Sequence, residues 1–224
     1  MSGLALVSAA ALFWIAWALM PGVGVTDPRE IFALVSTQRV WVGVSVVVQL
    51  VSAALYAPAL VGLIGEVDRR HISGVRWAGV LLLIGAMGSA ADAVLHLLAF
   101  AMTAPGLERQ TLVTVMAFMQ GPGLVLLAPM ILSFFAGGAG LSFAFAARGV
   151  VPRWNARLHG AAVAVACIGG ALASAGFVPA RVVGLAALGL VSAAQIGIGI
   201  ALWEDRARRH APATTPYPSA GLTL

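Results

Sequence analysis

Asp92 and His96 are the residues of this chain best placed to do chemistry. The chain carries eight acidic residues and four histidines. Asp92 is the acid that falls inside a long apolar stretch, and His96 is the histidine placed deep within one. Their i, i+4 spacing puts both side chains on one helix face, and that face also carries Gly85, Gly88, Ser89 and Thr103. An ionisable side chain at the middle of a bilayer costs ~2.5–3.5 kcal/mol on insertion scales if it meets lipid, so such a face turns toward a neighbouring helix or a wet cavity. There an aspartate beside a histidine binds the polar group of a ligand, passes a proton, or acts as acid and base.

A second stretch supplies a partner face. Ser45, Gln49, Ser52 and Tyr56 recur at i, i+4, i+7 and i+11, one side of a helix. If the two helices run antiparallel with centres near Ser52 and Ala90, a rise of ~1.5 Å per residue fixes relative depth. Gln49 then lies level with Asp92, Ser45 with His96, and Ser52 with Ser89. Tyr56 falls opposite Gly85, where the missing side chain leaves room for a ring. Gln195, midway along the last apolar stretch, is set to reach the same interior or to bond a neighbouring helix. The competing reading makes all of these interhelical hydrogen bonds, worth ~0.6 kcal/mol each in a membrane.

Several chemistries are excluded. His71 and His159 are expected at the cytoplasmic surface and His210 in the C-terminal tail, leaving His96 deep. Helix rise puts His96 ~25 Å or more from the end where His159 begins its helix, too far to share an ion or a haem. Asp92 and His96, with Ser89 a poor third, fall short of the three protein ligands of a catalytic zinc, so neither metal nor other cofactor is expected. Without a lysine there is no Schiff base to retinal or pyridoxal. The single cysteine, Cys167, forms neither an intrachain disulfide nor a CxxC pair. No nucleotide-binding loop, catalytic triad or HExxH motif occurs.

The elements that position these residues follow from composition. The 224 residues are 61% hydrophobic and 9% charged, with a mean hydropathy of +0.99; a soluble domain carries roughly a quarter charged residues. The predicted fold is all-α, a polytopic transmembrane bundle of about six helices, over 3–20, 40–64, 77–103, 123–147, 159–177 and 183–203. The first stretch resembles a signal peptide, with Ala16-Trp17-Ala18 as its cleavage site, but no arginine precedes it and its apolar run exceeds the usual ~7–15 residues. It is expected to stay as a helix. Before the fourth span, residues 110–120 are expected to form a short helix broken from it by Gly121-Pro122-Gly123, with Met116 and Met119 on its apolar face, a connector lying on lipid in preference to a lid over a pocket. Residues 204–224, with Pro212, Pro216 and Pro218, are expected to be a disordered cytoplasmic tail.

All 13 basic side chains are arginines, and they divide nine to four between alternate connections. The richer set is Arg69, Arg70, Arg76, Arg148, Arg153, Arg157, Arg206, Arg208 and Arg209. The poorer set is Arg29, Arg39, Arg109 and Arg181. The positive-inside rule then places both termini in the cytoplasm. The net charge of +5 sits at the ends of apolar stretches, where it meets lipid head groups, and nucleic acid is not an expected partner.

Asp27-Pro28 after the first helix, Pro58-Ala59-Leu60-Val61-Gly62-Leu63 closing the second, and the run from Arg148 to Trp154 make the layout similar to uncharacterised six-helix bacterial membrane proteins grouped as a domain of unknown function. The resemblance covers nearly the whole chain and implies a fold and a location in the cell membrane, without a reaction. Three functional readings follow. The first is a membrane protein that binds a small or lipophilic molecule, or conducts protons, through Asp92, His96, Ser89, Ser45, Gln49, Ser52, Tyr56 and Gln195. The second is a structural or signalling subunit acting through protein partners. The third, ranked last, is an enzyme using Asp92 and His96 as acid and base, with no nucleophile in view.

Overall fold

The computed structural model describes residues 2–69, 75–104, 106 and 108–210, with the side chains of 66–69 and 209–210 left aside. Arg70, His71 and the tail from Ala211 onward lie outside them. The described residues form helices and no strand: α1 (Ser2–Leu19), α2 (Pro28–Thr37), α3 (Arg39–Arg69), α4 (Val75–Met102), α5 (Arg109–Phe118), α6 (Leu124–Ala147), α7 (Arg153–Ala164), α8 (Gly170–Ser174) and α9 (Ala180–His210). Six helical runs are long and apolar enough to cross a membrane: α1, α3, α4, α5 through α6, α7 through α8, and α9. The protein is an all-α, multi-pass membrane bundle.

Local chemistry sets the element ends. Asp27 caps α2, its carboxylate accepting from the Arg29 amide at 2.9 Å, and Pro28 takes the first turn, where its missing N–H costs nothing. The ends of α6 and α8 share one device. Gly149 (φ 68°) and Gly176 (φ 79°) adopt the left-handed conformation. The amides that follow, Val150 and Phe177, reach back to the carbonyls of Phe145 and Leu172 at 2.9 Å each.

Two expected boundaries are corrected. Gly121-Pro122-Gly123 does not break the chain: a single π turn over Met119–Gly123 absorbs Pro122, and α5 and α6 run on as one 39-residue helix. On α5, Met116 is fully buried and the following Met119 nearly so, in an apolar cluster with Ile31, Phe32 and Val35 of α2, while Val115 and Phe118 stay exposed. At the C-terminus, α9 continues through Glu204 to His210 instead of stopping at Trp203.

The six spans close into a ring. Helix α1 packs between α3 and α9, α3 against α4, α4 against α6, α6 against α7, and α7 against α9. Small residues let the backbones approach, the usual means of helix association in lipid. A Cβ on Gly85 would collide with the Phe134 backbone, and one on Gly137 with that of Leu82, fixing α4 against α6. Gly3 and Gly199 do the same between α1 and α9. In the half of the ring holding α2, the closure is incomplete. Residues 165–174 include no buried side chain, and α8 packs on α9 with its other faces exposed.

Candidate functional site

Gln49 joins the two polar faces. Its amide Nε2 donates to Asp92 Oδ2 at 2.9 Å and to the Ser89 carbonyl at 3.3 Å, while Oε1 lies 3.4 Å from His96 Nδ1. That last contact is a hydrogen bond when His96 carries its proton on Nδ1. Asp92 Oδ2 and His96 Nδ1 are 3.6 Å apart, so one α3 side chain touches both α4 groups. The indole of Trp17 stands edge-on to the His96 ring, 5.7 Å between centroids. Gln49 is buried and Asp92 nearly so, while His96 is half-buried.

Two cavities meet at this cluster. The first, of about 200 Å³, lies under the α1–α2 connection (Pro21 to Val25) and is bounded by Ile31 and Val35 of α2, Met119 and Gln120 of the π turn, and Asp92 and His96. The second, of about 240 Å³, runs into the ring between Phe13, Phe134, Phe135, Ile131 and Leu188, with Gln49, Ser89 and Asp92 as its polar wall. Trp17, Asp92 and Leu124 line both. Two polar atoms here have no hydrogen-bond partner in the protein, Trp17 Nε1 and Ser89 Oγ, and both residues line the second cavity. An aspartate at the wall of an apolar slot, with an indole N–H and a hydroxyl buried just behind that wall, can hold a small molecule by one polar group.

The remaining expected residues are placed differently. Ser45 and Ser52 face inward, but their hydroxyls donate to the α1 carbonyls of Ala16 (2.7 Å) and Ala9 (2.8 Å), not to α4. A helical carbonyl keeps a second lone pair after its backbone bond, and α1, packed on this face of α3, offers those of Ala9 and Ala16. Tyr56 does not fill the space at Gly85, which the α6 backbone at Phe134 occupies. Its ring packs edge-on against Phe134 at 5.5 Å, and its hydroxyl donates to Gln195 Oε1. Tyr56 and Gln195 therefore form a second polar group, set apart from Asp92 by Phe134, which also stacks on Phe13 at 4.8 Å.

His159 belongs to that second group. It is 3% exposed, not at the surface as its place near a predicted helix start implies, because α7 begins at Arg153 and carries it ~9 Å inward. Sequence reasoning also passed over Trp17, seen as part of a cleavage-like Ala-Trp-Ala, and Asn155, whose amide donates to the Ala194 carbonyl at 2.7 Å. The i, i+4 spacing of Asn155 and His159 was the available signal. Among the described residues no group of three His, Cys, Asp or Glu side chains is close enough to hold a metal.

Compared with known proteins, the chain matches no family model, no curated protein and no solved structure.

Proposed function

We propose that this protein binds a small lipophilic molecule carrying one hydrogen-bonding group, seated in the apolar cavity with that group between Asp92, Ser89 and Trp17. The observation that carries this reading is the second cavity itself, apolar along α6 and α9 and polar at its Asp92 end. Each cavity is smaller than the ~300–1,000 Å³ of drug-sized sites, which favours a small ligand or one spanning both. Conduction of protons has less support, since Phe13 and Phe134 stand between the Asp92 group and Tyr56.

The same proposal sets the protein in the cytoplasmic membrane of a bacterium, with both termini and the nine-arginine side in the cytoplasm. Its test is native mass spectrometry of protein purified in mild detergent, beside Asp92→Ala with a matched thermal melt. A small molecule retained by the unmodified chain and lost from folded Asp92→Ala is the expected result. The same ligand on both, or a co-purifying protein on both with no ligand, overturns the pocket and leaves the polar faces as contacts between helices.

A further inference from the structure

The carboxyl of Asp92 has no cation bonded to it. Among the described residues its ion-pair contact is with His96, and at 3.6 Å that contact is too long for a hydrogen bond. Arg39, Arg109 and Arg181, at this end of the bundle, are engaged elsewhere: on the Thr103 hydroxyl and Phe100 ring, over the Phe32 ring, and on the Ala18 carbonyl. Thr103 itself lies ~16 Å farther along the chain of α4 than Asp92 by helix rise. Buried charges are ordinarily paired.

Gln49 decides what the cluster can offer a guest. Its amide has two N–H groups, and they go to Asp92 Oδ2 and the Ser89 carbonyl. Its oxygen faces His96 Nδ1, a contact that bonds through a proton on that nitrogen and leaves Nε2 an acceptor in the neutral ring. Trp17 Nε1 and the Ser89 hydroxyl are buried. The side chains of Asp92 and His96, by contrast, stay 12% and 20% exposed and line the first cavity. Gln120, another polar side chain of that cavity, is neutral. The cluster therefore presents acceptors, a carboxylate and an imidazole lone pair. A carboxylate guest meets like charge there, and a ketone or ether oxygen finds no N–H from Gln49 to accept.

We infer that the ligand is a lipophilic amine, bound as its ammonium ion, with its N–H groups on Asp92 and its hydrocarbon body in the second cavity. This rests on the small-molecule reading of the site given above and adds the charge of the ligand. Asp92 lines both cavities, so an ammonium at its carboxylate leaves the body free to enter the slot between Phe13, Phe134 and Phe135. At about 240 Å³ that slot exceeds the ~150 Å³ cavity in which a benzene ring fits. The ammonium supplies the missing cation, and its charge-assisted bonds are stronger than those of a hydroxyl in the same place.

The test is equilibrium binding to the protein in phosphatidylcholine nanodiscs, with empty nanodiscs subtracted. The probes are radiolabelled benzylamine, phenethylamine and hexylamine, each beside the alcohol of the same hydrocarbon body. At least one amine is expected to bind roughly tenfold or more tightly than its alcohol. In Asp92→Asn, which keeps an oxygen for Gln49, amine and alcohol are expected to bind alike. Should Asp92→Asn fail to fold, the comparison on the unmodified protein decides by itself. Alcohols that bind as tightly as their amines, or a preference that survives in folded Asp92→Asn, overturn the amine and leave the pocket standing. A molecule retained in native mass spectrometry that contains no nitrogen overturns the amine equally. No binding by any probe, with no small molecule retained, overturns the pocket and the amine together.

Discussion

Gln49 of α3 donates to the carboxylate of Asp92 on α4 at 2.9 Å, and the same amide reaches His96 with its oxygen. This side chain satisfies the acid within the spans while leaving it at the wall of two cavities.

Gln49→Leu should therefore cost more than a surface change. It leaves Asp92 without its amide partner, a loss of about 1–3 kcal/mol for a buried acceptor. Thermal melts in one detergent should show a lower midpoint for Gln49→Leu than for Asp92→Asn, which keeps an oxygen to accept from Gln49. Equal midpoints would argue that the bond contributes nothing.

Trp17→Phe separates binding from folding. The ring stays against His96 while the unpartnered indole N–H is removed. The variant should melt at or above the temperature of the unmodified protein, yet retain less of its small molecule in native mass spectrometry. Undiminished retention would remove Trp17 from the ligand's contacts.

Gly85→Ala and Gly160→Ala make opposite tests of the helix seams. The added methyl at Gly85 meets the Phe134 backbone, whereas nothing lies within 4 Å of one at Gly160. Overpacking of about 1–3 kcal/mol is expected at Gly85. At Gly160 the exchange should be neutral or a gain of up to ~1 kcal/mol from helix propensity. Retention of fold against stepwise denaturation, read by circular dichroism, ranks the two.

Arg39→Gln should loosen the α3–α4 contact at the α2 end of the bundle. Arg39 donates to the Thr103 hydroxyl and lies over the Phe100 ring at 4.2 Å. The cation–π part alone is worth about 0.5–1 kcal/mol at a half-exposed site. Faster hydrogen exchange confined to the first turns of α3 is the expected sign.

Orientation is open to a direct measurement. With Cys167 replaced by alanine, Gln38→Cys and Arg148→Cys place one thiol at each exposed end. A maleimide that cannot cross membranes should label the first and not the second in intact cells. The reverse pattern would invert the assignment based on arginine counts.

The pairing of Gln49 with Asp92 was legible because two polar faces on successive antiparallel helices leave one register that matches them. The partners of Ser45 and Ser52 were not, since α1 offers them backbone carbonyls that no residue type announces. A glycine such as Gly85 tells that something approaches closely without telling which helix. It proved to be α6, and that displaced Tyr56 toward Gln195. His159 was misplaced because a helix start six residues earlier than expected carries a surface histidine into the interior.

By itself, the sequence determined six apolar helices and the one acid that cannot face lipid, because length, hydropathy and the cost of a buried carboxyl are properties of each segment alone. The tertiary structure decided the ring order, the aromatic layer between two polar groups, and which hydroxyls and amides find partners. In a bilayer, lipid is as apolar as the helices, so hydrophobicity does not choose neighbours; the fit of small residues against backbone does, and that fit exists only between segments.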